Sequence, residues 1–132
     1  MILANPEKAP GQGGMILVDT SVWVHHLRKG EAHLKSLLLE GQVSCHPFIV
    51  GEVACGTIRN RREILSLLAA LPLARMAEHE EVLSLIESRS LHGRGIGWID
   101  AHLIASAFLS RSPLWTLDGR LRTVASSLGI AY

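Results

Sequence analysis

The chain has 132 residues, the size of a single domain, and 48% of them are hydrophobic, enough to fill a core. A formal net charge of +1 excludes a broad basic face, so a polyanion would have to be met by local arginines and not by the global field. The two cysteines, Cys45 and Cys55, fit neither a zinc-ligand spacing nor a redox Cys-x-x-Cys pair and read as reduced structural thiols of a cytoplasmic protein. No apolar run reaches the roughly 18 to 20 residues that span a bilayer, and the greasiest, Leu65 to Ala74, is broken by Pro72.

Residues 1–14 carry Pro6, Pro10, Gly11, Gly13 and Gly14 without the cationic and apolar segments of a secretory signal. They read as a disordered leader, or as an extension ahead of a natural start at Met15. Met15 to Val18 is a short apolar strand that stops at Asp19, and Thr20 and Ser21 offer N-cap oxygens to a helix through Leu27. A second helix covers Glu31 to Leu39 and closes at Gly41, with a short strand from Gln42 to Cys45. Pro47 opens a helix to about Thr57. The basic turn Arg59 to Arg62 leads into another helix through Leu71, Leu73 to Met76 reads as a brief strand, and Glu78 to Arg89 is again helical.

The loop spaced by Gly93, Gly95 and Gly97 leads into a helix from Ile99 to about Ser110, apolar almost all round and therefore buried. Leu114 to Leu117 is a strand, Asp118-Gly119 a turn, Leu121 to Leu128 a helix, and Ile130 to Tyr132 a closing strand. Short apolar strands alternating with helices imply an α/β domain over residues 15–132, a three-layer α/β/α arrangement around a central parallel sheet. In such sheets ligands gather at the carboxyl ends of the strands.

The chain holds only three aspartates, and each falls where a parallel α/β fold presents a residue to that edge. Asp19 ends the first strand, Asp118 ends the strand from Leu114, and Asp100 sits in the first turn of the buried helix. Glu52 shares a helical stripe with Ile49, Val53 and Gly56, and Asp100 shares one with Leu103, Ile104 and Ala107, so both carboxylates are expected to point inward. Unpaired buried carboxylates cost several kcal/mol or protonate, and carboxylates sharing a site raise one another's pKa. A divalent cation relieves both problems, and magnesium favours such hard oxygen ligands while leaving room for phosphate oxygens. The chemistry this implies is phosphodiester hydrolysis.

Each acidic residue also has a plainer reading. Asp19 can cap the helix after it, Asp100 can answer the helix dipole, Asp118 before glycine can be a turn former, and Glu52 can pair with Arg59. Their coincidence on one rim of one sheet favours a site.

Four stretches together resemble the PIN-domain nucleases, and more narrowly the VapC-type toxins of bacterial toxin-antitoxin pairs. They are Met-Ile-Leu-Val-Asp-Thr-Ser-Val-Trp at 15–23, Ile-Val-Gly-Glu at 49–52, Gly-Ile-Gly-Trp-Ile-Asp-Ala-His-Leu at 95–103 and Leu-Trp-Thr-Leu-Asp at 114–118. The resemblance spans Met15 to Tyr132. It implies a magnesium- or manganese-dependent endoribonuclease with Asp19, Glu52, Asp100 and Asp118 as the acidic metal site, and Ser21 and Thr116 as hydroxyl neighbours that orient it. It further implies a homodimer and a small VapB-like antitoxin whose basic side chain enters the acidic site. A PIN-like module that binds RNA or protein with weak or no catalysis is the alternative.

Among cations for substrate phosphates, Arg59, Arg61, Arg62, Arg94, Arg120 and Arg122 lie in loops or at helix starts, and Arg94 and Arg120 rank first because they flank Asp100 and Asp118. Trp23, Trp98 and Trp115 read as core residues before base-stacking ones. The seven histidines show no metal-binding spacing. A haloacid-dehalogenase phosphatase would need an aspartate at the position of Ser21, and a response-regulator receiver a late lysine, whereas no lysine follows Lys35.

Overall fold

The computed structural model describes residues 14–132, so the leader reading of residues 1–14 lies, but for Gly14, outside the described residues. The elements run β1 (Ile16–Val18), α1 (Thr20–Lys29), α2 (Ala32–Leu39), β2 (Val43–Ser44), α3 (Pro47–Cys55), α4 (Arg61–Ala70), α5 (His79–Ser88), α6 (Trp98–Ser110), β3 (Leu114–Trp115) and α7 (Gly119–Ser127). The sheet is parallel in the order β2-β1-β3, with Leu17 opposite Ser44 on one side and Leu114 on the other. Every residue of β1 is buried, as a central parallel strand covered on both faces has to be. The α/β expectation holds.

Two expected strands shrink to single bridges. Leu73 pairs with Cys45, and Ala131 with Leu114, both parallel, through bonds such as Cys45 N–H to Pro72 O (2.8 Å) and Leu114 N–H to Ile130 O (2.8 Å). They extend the sheet at its two edges, but one bridge each is too little to register as a strand. Of the caps that the sequence offers for the helix after β1, it is Asp19 and not Thr20 or Ser21 that serves: the Asp19 carboxylate accepts from Ser21 N–H. The last helix likewise begins at Gly119 and not at Leu121, because Asp118 is its cap.

α6 packs against α5 and β3, and Ala101 through Phe108 are all buried, so its apolar circumference is matched by neighbours on every side. One of those neighbours is a histidine. His46 is fully buried and caps α3, its Nδ1 accepting from Phe48 N–H at 3.0 Å, which puts the ring proton on Nε2. Burial, with a contribution from His102, lowers its pKa to about 4. Phe48 contacts both rings with centroids 4.9 Å away, tilted against His46 and edge-on to His102. The folded-state pKa lies below the unfolded value of about 6.5, so the neutral ring contributes stability above that pH that is lost as the pH falls toward 4. His46→Asn retains a capping oxygen but cannot titrate; the fall in the urea midpoint between pH 6.5 and 4 is expected to be shallower in the variant than in the parent protein. Parallel curves would contradict this.

Candidate active site

Three helix N-termini meet at the carboxyl edge of the sheet, and each carries one of the three aspartates. Asp19 follows β1 and caps α1, Asp118 follows β3 and caps α7, and Asp100 is the third residue of α6. Each commits one oxygen to its own helix. Asp19 Oδ2 accepts from Ser21 N–H (3.4 Å), Asp100 Oδ2 from Gly97 N–H (3.1 Å), and Asp118 Oδ1 from Arg120 N–H (3.0 Å) and Leu121 N–H (3.1 Å). The remaining oxygens, Asp19 Oδ1, Asp100 Oδ1 and Asp118 Oδ2, have no protein partner among the described residues. Helix N-termini favour negative charge, and this is what makes three carboxylates tolerable here.

Ser21 and Thr116 tie two of these aspartates together. The Ser21 hydroxyl donates to Asp19 Oδ2 at 2.7 Å and accepts from Leu117 N–H at 2.9 Å. The Thr116 hydroxyl donates to the same Asp19 oxygen at 2.8 Å and accepts from Asp118 N–H at 3.1 Å. Thus the end of β1 and the turn after β3 are held in one register by two hydroxyl bridges. The third aspartate is linked electrostatically: burial raises the Asp100 pKa, the Gly97 N–H partly offsets it, and the carboxylates of Asp19 and Asp118 add to the rise.

Glu52 departs from expectation. It is exposed, so the charge does not point into the core. Three residues along a helix turn a side chain to about 60° from Ile49, which places Glu52 on the flank of the buried Ile49 and Val53 stripe. Nor does it pair with Arg59. Its Oε1 accepts from the Thr20 hydroxyl at 2.7 Å, beside Asp19 in sequence, so Thr20 is the contact that brings Glu52 to the rim, a role sequence reasoning missed.

The secondary candidates sort out differently. Arg94 Nη2 donates to Ser127 Oγ at 3.4 Å, and the side chain of Arg120 lies across Gly95. Gly95 has φ +81°, and a Cβ there would stand 2.6 Å from Arg120 Cδ, so glycine is what allows this arginine to lie between α7 and the loop ahead of α6. Trp23 is a core residue as expected, and Trp115 packs between His33 and Tyr132. Trp98 is 40% exposed and is not a core residue, because it opens α6 at the rim.

The donor set fits a hard cation. Asp19 is buried, yet among the described residues the one ion pair is His25 with Glu31 at 3.8 Å, so no protein cation neutralises this rim. Equally, among the described residues no three His, Cys, Asp or Glu side chains close tightly enough to grip an ion unaided. Magnesium is commonly held by one or two carboxylates with water and substrate oxygens completing its shell, and a loose acidic rim suits that mode.

The arrangement defines a class. A family model described as the PIN domain matches residues 16–126, and the chain belongs to that family. Within it the chain is of the VapC type. Over 118 residues, 89% of this chain and 95% of the relative, it is 45% identical to Ribonuclease VapC32 of Mycobacterium tuberculosis strain CDC 1551 / Oshkosh, and equally to Ribonuclease VapC32 of strain ATCC 25618 / H37Rv. The fold is also that of PAE2754 from Pyrobaculum aerophilum, a crystal structure matched with a TM-score of 0.59 at 16% identity over 98% of this chain and 96% of that one.

Two outcomes follow from this geometry. Thr116→Val removes a buried hydroxyl that serves both Asp19 and Asp118 N–H, and should lower unfolding stability by about 1–3 kcal/mol in urea titrations; an unchanged midpoint would refute the bridge. For Asp100 the folded pKa is raised, so its ionised form detracts from stability as pH rises above the ordinary carboxylate range. In metal-free buffer Asp100→Asn should therefore melt higher than the parent at pH 7, with the gap closing near pH 3.

Proposed function

We propose that the chain is a divalent-metal-dependent endoribonuclease, with magnesium or manganese as the ion, acting as the toxin of a toxin-antitoxin pair. The observation that carries the reading is the buried Asp19 carboxylate, bound to Ser21 and Thr116 and electrostatically coupled to Asp100, with no protein cation beside it. The 45% identity to Ribonuclease VapC32 over 89% of the chain supports RNA as the substrate.

Asp19, Asp100 and Asp118 would hold the ion through the oxygens their helices leave unused, with Glu52 as the fourth acidic ligand. Bound there, a divalent cation supplies charge to the phosphodiester and acidity to water. Ser21 and Thr116 keep Asp19 from turning, so that its unbonded oxygen stays aimed at the rim. Without metal the same rim would attract a cationic side chain, which is the physical logic of inhibition by a small VapB-like antitoxin. The reading carries a second copy of the chain as the other partner.

Cleavage of a defined single-stranded RNA is expected to require added magnesium or manganese and to stop on chelation. Asp19→Asn and Asp100→Asn should each lower the rate more than 100-fold, a loss of roughly 3 kcal/mol of transition-state stabilisation, while circular dichroism stays that of the parent. Chelator-resistant cleavage, or either variant cutting at the parental rate, would defeat the proposal. RNA bound but never cut would identify a binding module instead.

A further inference from the structure

Beside the acidic rim the surface opens into a groove of about 570 Å³ between the second half of α1 and the turn joining α3 to α4. Glu52 stands at its wall, Leu27 and Val53 are among the residues that contribute apolar surface, and Thr57 and two arginines, Arg28 and Arg59, also line it. Both guanidinium groups are exposed and have no ion-pair or hydrogen-bond partner among the described residues. That is notable because a carboxylate shares the groove: Glu52 is engaged by Thr20, which leaves the cations free. The turn that carries Arg59 is itself tied down, since Arg61 Nη2 donates to Ala54 O at 2.7 Å.

We propose that this groove holds the RNA strand to one side of the scissile phosphate, with Arg28 and Arg59 holding backbone phosphates flanking the one at the acidic rim and the apolar surface receiving an unstacked base. The inference rests on the endoribonuclease reading. An acidic rim repels the neighbouring phosphates of its own substrate, and a net charge of +1 offers no general field to compensate, so cations must stand directly beside it. Arg94 is bonded to Ser127 and Arg120 lies across Gly95, whereas Arg28 and Arg59 are unengaged and share a groove with Glu52. The nine residues from Asp19 to Arg28 correspond to about 14 Å of helix, a span suited to a short stretch of single strand. Sequence-tolerant grooves for single strands combine these features, cations along the backbone and apolar surface under the bases.

The test measures binding of a fluorescent single-stranded RNA to the Asp19→Asn protein by anisotropy across a potassium chloride series. Adding Arg28→Ala and Arg59→Ala together should weaken binding roughly tenfold at 0.1 M salt and reduce the slope of log affinity against log salt by about 0.7 for each lost phosphate contact. Arg111→Ala, at the exposed C-terminal end of α6 opposite Asp100, serves as the control and should change neither. An unaltered affinity and slope in the double variant would overturn the groove assignment. If the double variant keeps its RNA affinity but loses binding to a glutamate-rich peptide, the groove is a protein dock and the assignment is likewise overturned. Cleavage of the same RNA by the otherwise unaltered chain separates the two readings: if that chain cuts and the double variant binds normally, only the groove fails, and if it does not cut, the enzyme reading itself fails.

Discussion

The structure depends on carboxylates doing two things at once. A helix N-terminus leaves N–H groups unpaired, and a side-chain oxygen that accepts from them typically contributes about 1 kcal/mol. In this chain Asp19, Asp100 and Asp118 each perform that service with one oxygen and leave the other without a protein partner at the carboxyl edge of the sheet. Capping and ligation are thus not competing explanations of these residues. The capping bond fixes the rotamer, the positive end of the helix dipole offsets part of the mutual repulsion, and the second oxygen is presented in a fixed direction as a consequence.

Strand order explains why the edge lies where it does. The chain leaves β1 for β2 on one side and later reaches β3 on the other, so β1 is the point at which the sheet order reverses. In open parallel sheets the crevice outside such a point is where ligands bind, because the helices that follow the two flanking strands diverge. Here the helix after β2 brings Glu52 and the turn after β3 brings Asp118, while β1 itself ends in Asp19. The adjacent strands β1 and β3 each deliver an aspartate, and the hydroxyls of Ser21 and Thr116 lock the two loops together.

Much of this was legible in the chain itself. Short apolar runs ending in Asp19 and Asp118 gave the strands, and the apolar circumference of residues 99–110 gave the buried helix, because both signals are periodic and local. What failed was of another kind. The inward expectation for Glu52 rests on its stripe with Ile49, Val53 and Gly56, and periodicity does not resolve the middle of such a stripe from its flank, over which a glutamate's stem is long enough to reach Thr20. The contact spans 32 residues, and nothing in the sequence marks it. The edge strands at Leu73 and Ala131 are real pairings of one bridge each, too short for alternation to distinguish from loop. His46 as a buried cap was missed for a related reason: a histidine before proline reads as surface until the tertiary packing against Phe48 and α6 is known.

The distribution of exposure around the rim follows from the same electrostatics. Asp19 is buried but accepts three hydrogen bonds on one oxygen; Asp100, with a single backbone N–H and two carboxylates nearby, is the one whose ionisation is disfavoured. Burying a further carboxylate beside Asp19 and Asp100 would add repulsion without another helix N-terminus to oppose it. Glu52 avoids this by staying in solvent, where its charge is screened, and meeting the rim through one hydroxyl, that of Thr20. The acidic rim therefore grades from the buried Asp19 through the half-buried Asp100 to the exposed Asp118 and Glu52, and the unengaged arginines, Arg28 of α1 and Arg59 of the α3–α4 turn, share a groove with Glu52 on its wet side. On the groove reading, a polyanion on that side meets the cations of Arg28 and Arg59 and a carboxylate, Glu52, that is already engaged by Thr20, an arrangement that a uniformly buried cluster could not provide.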